Sequence, residues 1–182
     1  EMKRFPEAPI ENHKPVDRTV INMEQGLNKG FRLFENLKVS ESKIRKKDVT
    51  VVPRAQQGLR RQVKEAGVEA EVPLENFRNE YRTPDKNYSI DVWIPQSAEI
   101  SPAKARKVLG GDYRGLTLEE GLAIARRFPS LLEKYSIDLV GARYRNECTP
   151  TVYSWKGSLK LSAICSDVSD PMCSFAYTEN QF

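Results

Sequence analysis

The stretch TVYSWKGSLKLSAI, from Thr151 to Ile164, decides the fold class of this chain. Two extended runs flank the dipeptide Lys156-Gly157. Glycine supplies the positive φ that tight hairpin turns require, so this pattern predicts a β-hairpin near the carboxyl end of the chain.

Two further segments predict strands outside this hairpin. The residues from Tyr88 to Ile94 alternate between apolar and polar side chains, which predicts one continuous strand that Pro95 ends. The β-branched run Val49–Val52 stops at Pro53 and predicts a second, shorter strand.

The middle of the chain carries helix signals. Ser101 followed by Pro102 is typical of a helix start, and Thr117 with Glu120 forms a capping-box pattern. The second of these helices is expected to reach Phe128, and another is expected from 129 to 135. An apolar stripe at helical spacing predicts an earlier helix, which Gly67 ends; its members are Ala55, Leu59, Val63 and Ala66.

These elements predict an α+β fold. We expect the helical middle to pack on a small, mostly antiparallel sheet that contains the 88–94 strand and the carboxyl-terminal hairpin, with Val49–Val52 as a further candidate strand. Residues 1–18, which contain three prolines, are expected to form an extended amino-terminal arm, and residues 19–182 a single α+β domain. Within that domain we expect a first helix over about 20–38 and a polar connector over 38–48.

Composition narrows the class of protein. The chain has 182 residues, 39% of them hydrophobic, and a formal net charge of +4. It has no apolar run of the roughly 20 residues that a membrane helix needs, so we expect a cytoplasmic protein without a membrane partner. Its three cysteines, Cys148, Cys165 and Cys173, are expected to be free thiols, with a Cys165–Cys173 bridge as the alternative if the protein is exported.

Charge is unevenly distributed along the chain. The window from Lys38 to Lys64 holds nine basic residues and two acidic ones. Such a segment attracts anionic polymers, although charge runs are often simply solvated helix faces. The candidate anion-binding residues in this window are Lys46, Arg54, Arg60, Arg61 and Lys64.

A second, weaker candidate anion site comprises Arg126, Arg127, Arg143 and Arg145, and the last two lie in the tripeptide Arg143-Tyr144-Arg145. In an extended segment it places both guanidinium groups on one side, where they suit bidentate recognition of a phosphate or carboxylate. The alternative is surface salt bridging of these arginines to Glu119, Glu120 or Glu133.

Catalytic motifs are absent from the sequence. The chain has a single histidine, His13, and no phosphate-binding loop, nucleophile elbow or paired-cysteine metal motif, so we expect neither a cofactor nor a metal. The enzyme alternative would use Asp91, Asp138 or Cys148, and the balance favours a protein that is not an enzyme.

Several blocks between residues 115 and 161 share a pattern with other proteins. They are Gly115–Ala123, Phe128–Leu132, Ile137–Gly141 and Pro150–Leu161. Together they resemble a family of uncharacterised bacterial proteins of unknown function. This resemblance implies no activity and no site residues.

The sequence therefore favours a non-catalytic binding module for an anionic partner, either a nucleic acid or an acidic protein. One alternative is a protein–protein adaptor or self-associating protein that uses the arm and the first helix, with Phe31 and Phe34 exposed. The other alternative is an enzyme with a carboxylate or cysteine site.

Overall fold

The computed structural model of this protein describes residues 11–12, 41–45, 48–95, 100–165, 167 and 173–180. Within these ranges the helices are α1 (Leu59–Glu65), α2 (Pro102–Val108), α3 (Leu118–Arg127) and α4 (Pro129–Leu132). The strands of the same ranges are β1 (Glu11–Asn12), β2 (Glu41–Ile44), β3 (Thr50–Val51), β4 (Val68–Ala70), β5 (Phe77–Asn79), β6 (Tyr88–Ser89), β7 (Val92–Pro95), β8 (Tyr113–Gly115), β9 (Ser136–Asp138), β10 (Ala142–Tyr144), β11 (Cys148–Trp155), β12 (Ser158–Cys165), β13 (Cys173–Phe175) and β14 (Tyr177–Glu179).

The larger sheet is built around the antiparallel pair β11 and β12, which pair over eight residues each. Strand β12 is flanked by β4 in parallel, whereas β11 pairs on its other side with β9 and β10. Strand β13 runs parallel to β9, and β5 pairs antiparallel with β10. The turn between β11 and β12 lies at Lys156 and Gly157, whose φ angles of 50° and 79° are both positive, as a type I′ hairpin turn requires.

The second sheet has five antiparallel strands in the order β1-β2-β7-β14-β8. Strand β2 occupies part of the segment 38–48, so the prediction of a polar connector there is wrong. Its sequence, Glu-Ser-Lys-Ile, has too few apolar residues to show a strand pattern, and it is held by pairing with β7.

The predicted strand over 88–94 is divided in two, and this corrects the predicted sheet. Strand β6 pairs with β3, which lies within the Val49–Val52 run, in a separate two-stranded sheet. Strand β7 belongs to the five-stranded sheet, apart from the hairpin. Ile90, Val92 and Ile94 are all fully buried, as their alternation predicts, but alternation gives no information about which strand lies alongside.

Local signals fix the helix ends. The Oγ of Ser101 accepts a hydrogen bond from the backbone N–H of Lys104 at 3.4 Å, which confirms the predicted start of α2. Helix α4 ends at Leu132, three residues before the predicted end. Helix α1 starts at Leu59, because Ala55 lies in an exposed turn in which two backbone N–H groups donate to the carbonyl of Pro53.

The α+β class is confirmed, with strands outnumbering helices in the described ranges. Helix α3 lies at the centre: Leu118, Leu122, Ile124 and Ala125 are all buried in the main core. The predicted arm and first helix lie outside the described residues, except for the two residues of β1. No helix in the described ranges is both long and apolar enough to cross a membrane.

Candidate anion-binding surface

Helix α1 places three cations in solvent. Its apolar stripe turns Leu59 and Val63 inward, and on the same side the buried Gln62 donates from Nε2 to a backbone carbonyl at 2.6 Å. The helical period therefore sends Arg60, Arg61 and Lys64 to the opposite, exposed side. The structure thus brings together three of the five cations that the 38–64 window predicts as anion-binding residues.

The arginines of α1 occupy positions that do not favour the helix itself. Arg60 and Arg61 lie in the first turn, which contains no acidic residue, and no side chain caps the helix at Gly58. The amino end of a helix carries partial positive charge, so cations there are unfavourable. The dipole therefore disfavours both arginines, and only Arg61 gains a compensating i,i+4 ion pair, with Glu65.

A fourth cation reaches the same surface from α3. The carboxylate of Glu65 accepts from Arg61 Nε at 2.9 Å and from Arg126 Nη1 at 3.2 Å. Arg61 and Arg126 stay 76% and 58% exposed, so both keep donors available to a ligand. We name the set Arg60, Arg61, Lys64 and Arg126 the arginine face; it holds four cations, two of which pair with the single carboxylate of Glu65.

A small cleft adjoins the arginine face. Glu65 and Arg126 form part of its wall, and the buried Glu119 lies at another part. Its lining residues are Thr50, Val52, Gln57, Gln62, Glu65, Glu119, Leu122, Ala123 and Arg126.

Arg54, another of the predicted anion-binding residues, is paired with a buried carboxylate, although 37% of its side chain is exposed. Its Nε donates to Glu119 Oε1 at 2.7 Å and its Nη1 to the carbonyl of Phe77 at 3.3 Å. Asn79 Nδ2 donates to the other oxygen of Glu119 at 2.5 Å. Arg54 therefore neutralises a buried carboxylate, while Lys46 lies outside the described residues.

The predicted Arg143–Arg145 site does not form a paired guanidinium surface. The Nε of Arg143 donates to Glu80, and its Nη1 donates to the carbonyl of Asn146 at 3.1 Å. A turn begins at Arg145, whose φ is 53°, and its guanidinium lies 5.3 Å from the ring centre of Tyr144. The extended geometry that would align the two side chains is therefore interrupted by the turn.

A buried ion pair below α3 was not predicted by sequence reasoning. Arg114 donates from Nη1 and Nη2 to the two oxygens of Glu120, at 2.8 and 2.7 Å, and both side chains are at most 1% exposed. Glu120 also accepts from the backbone N–H of Thr117 at 2.8 Å, the carboxylate half of the predicted capping box. The capping pattern locates Glu120, but no linear signal links it to Arg114.

Tyr88 completes this cluster. Its hydroxyl donates to Glu120 Oε1 at 3.0 Å. Burial, followed by the charge of the Glu120 carboxylate, raises the pKa of Tyr88 well above its usual value. Burial works to lower the pKa of Arg114, but its hydrogen bonds to Glu120 and the carboxylate charge outweigh this and raise it. The cluster is a closed set of mutual partners, which suits a structural role.

The residues of the enzyme alternative do not converge on this cleft. Asp138 is buried and accepts a hydrogen bond from Thr151 Oγ1 at 2.7 Å. Asp91 lies between β6 and β7, and Cys148 begins β11. None of Asp91, Asp138 and Cys148 lines the cleft. His13 is outside the described residues, and within them no group of three or more His, Cys, Asp or Glu side chains could hold a metal ion.

Comparison with known proteins adds no family to this description. No family model matches the chain, and no curated protein or solved structure matches it. The resemblance over residues 115–161 remains a prediction.

Proposed function

We propose that this protein is a non-catalytic binding module for nucleic acid, which contacts the phosphate backbone through the arginine face. The observation that carries the proposal is the convergence of Arg61 and Arg126 on Glu65, with Arg60 and Lys64 exposed alongside. One carboxylate cannot neutralise four cations, so the face keeps a net positive charge. Phosphate binding to such a face releases counterions and is therefore favoured at low salt.

The composition of the face favours nucleic acid over an acidic protein. Every exposed side chain of α1 is charged, and its apolar residues are buried. Protein–protein interfaces have an apolar centre, whereas nucleic-acid interfaces are more polar and more positive. Within the described ranges the one exposed large hydrophobic side chain is Trp155, which lies on the hairpin and not on α1.

The same composition favours backbone contacts over base recognition. No aromatic residue occurs in α1, so the helix offers no platform on which unpaired bases could stack. We therefore expect duplex binding with little dependence on base sequence and a strong dependence on salt.

The test is fluorescence polarisation with a labelled mixed-sequence DNA duplex, from low to physiological salt. The variant is Arg60→Ala/Arg61→Ala. The matched control is Lys104→Ala/Lys107→Ala, which removes the same charge from two exposed residues of α2, a helix of equal length. We expect the control to bind like the natural protein and the arginine variant to bind more weakly. The log–log salt slope should fall by about 0.9 for each phosphate that the arginine variant no longer neutralises.

Two results would contradict the proposal. Equal weakening in both double variants would mean that net charge alone drives binding. A poly-glutamate peptide that competes with the duplex at equal charge concentration would assign the face to acidic proteins instead.

A further inference from the structure

Two of the three cysteines face each other across the hairpin. Cys148 and Cys165 are directly opposed at the end of β11 and β12 that is far from the turn. Both are free thiols, and Cys165 is exposed while Cys148 is half-buried. Directly opposed residues of an antiparallel pair project their side chains from the same face of the sheet, so the two thiols are neighbours.

Their position in the ladder is the one in which side chains approach most closely. The two-residue turn closes on the hydrogen-bonded pair Trp155 and Ser158, and antiparallel pairs alternate between hydrogen-bonded and non-hydrogen-bonded. Counting back from the turn makes Cys148–Cys165 a non-hydrogen-bonded pair. Pro150 and Ala163 also form a non-hydrogen-bonded pair, as expected because proline has no N–H to donate to β12.

This spacing is close to that of a disulfide. Directly opposed residues have Cβ atoms about 4.5–5.5 Å apart, nearer the lower value in non-hydrogen-bonded pairs. A disulfide needs roughly 3.5–4.5 Å. Bridging therefore needs a small adjustment and no rearrangement of the strands.

We propose that Cys148 and Cys165 form a reversible cross-strand disulfide by thiol–disulfide exchange with a small-molecule disulfide such as glutathione disulfide. The site depends on neither the arginine face nor Cys173. Cys173 begins β13, where it pairs with Ser136 of β9, so the structure places Cys148 and not Cys173 opposite Cys165.

The exchange has two steps, and the roles of the two thiols differ. The thiolate of the exposed Cys165 attacks one sulfur of glutathione disulfide, whose S–S bond breaks and releases one glutathione thiolate. Cys148 then loses its proton to water and attacks Cys165 Sγ in the mixed disulfide, which releases the second glutathione thiolate. The protein loses two hydrogen atoms, and one glutathione disulfide becomes two thiols.

The environment of Cys148 disfavours a first attack by this thiol. Burial, and then the neighbouring Cys165, raises the pKa of the Cys148 thiol above its usual value. A thiol that stays protonated is a poor initial nucleophile, which leaves the first attack to Cys165.

The experiment uses the full chain carrying Cys173→Ser, so that two thiols remain. It is equilibrated in glutathione buffers of graded ratio, quenched with a maleimide and analysed by intact mass and peptide mapping. We expect a species that is lighter by two hydrogen atoms and a cross-linked peptide joining Cys148 to Cys165. With Cys165→Ser added, we expect no bridged species and little glutathione adduct on Cys148.

The same titration in urea-unfolded protein tests whether the sheet favours the disulfide. In the unfolded chain only the short sequence separation of Cys148 and Cys165 brings the two thiols together. The folded protein should require at least about tenfold more reducing buffer to open the bridge than the unfolded chain. Equal midpoints in the two states would overturn the proposal. Separate glutathione adducts on both cysteines of the folded protein, without a bridge, would overturn it as well.

Discussion

The arginines of α1 and the arginine beneath α3 have the same chemistry and opposite environments. Arg114 is 1% exposed and gives two donors to one carboxylate, whereas Arg61 is 76% exposed and shares Glu65 with Arg126. A buried charge must keep its partner, while an exposed charge can exchange its partner for solvent or a ligand. The difference separates cations that hold the fold from cations that are available for binding.

Breaking the buried Arg114–Glu120 ion pair should have the largest effect on stability. Arg114→Met leaves the buried Glu120 carboxylate without its cation, and we expect a loss of about 3–5 kcal/mol in the free energy of unfolding. Urea denaturation followed by circular dichroism measures it. Adding Glu120→Gln to Arg114→Met removes the stranded charge and should restore part of the loss; a double variant no more stable than the single one would contradict this account.

Backbone packing beside Arg114 should give the next largest effect. A Cβ on Gly141 would lie 2.2 Å from the carbonyl oxygen of Gly115, so Gly141→Ala forces two backbone segments apart. We expect a loss of about 1–3 kcal/mol by the same urea measurement. Gly110→Ala is the matched control, because its Cβ would meet no atom within 4 Å. Equal losses in the two variants would show that the backbone preference of glycine, and not the close contact between Gly141 and Gly115, determines the loss of stability.

The sequence predicts the parts of this fold that depend on near neighbours. The hairpin turn lies at Lys156 and Gly157 because a positive φ is needed at adjacent positions, and the start of α2 follows from Ser101 and Pro102. The burial of Leu59 and Val63 follows from helical spacing, and this also places Arg60 and Arg61 in solvent. Short-range steric and hydrogen-bonding rules decide all of these features.

Features that depend on distant partners could not be predicted. Arg54 and Glu119 are 65 positions apart, so nothing in the 38–64 window shows that this cation pairs with a buried carboxylate. Likewise the alternation over 88–94 predicts burial correctly but cannot show that β6 and β7 join different sheets. The pairing of Cys148 with Cys165 lies between these two cases. The residues are not near neighbours in sequence, but their register follows from the position of the hairpin turn.

Tyr88 links the buried cluster to pH. Its raised pKa means that the folded state keeps the phenolic proton after the unfolded state, with an ordinary value of 10.0, has lost it. The stabilisation is therefore complete below pH 10.0 and declines as the pH rises above it. Tyr88→Phe should be less stable near neutral pH, since it loses a hydrogen bond to a carboxylate.

That deficit should shrink at alkaline pH. Between one unit below and one unit above the unfolded pKa, the natural protein should lose about 1.4 kcal/mol that Tyr88→Phe does not lose. Urea denaturation of both proteins across this interval measures the difference. Parallel pH profiles would show that Tyr88 ionises alike in the folded and unfolded states.

Substitution of an exposed arginine of α1 should give the smallest change in stability, and this change should be an increase. Arg60→Glu places an acid in the first turn of α1, four residues before Lys64, where both the helix dipole and the i,i+4 pair favour it. We expect unfolding to become harder by about 0.3–1 kcal/mol while duplex binding weakens. Thermal unfolding and polarisation on the same sample test this. A variant that loses both stability and binding would make the arginines of α1 structural, like Arg114, whereas opposite signs would show that α1 gives up helix stability in order to carry positive charge.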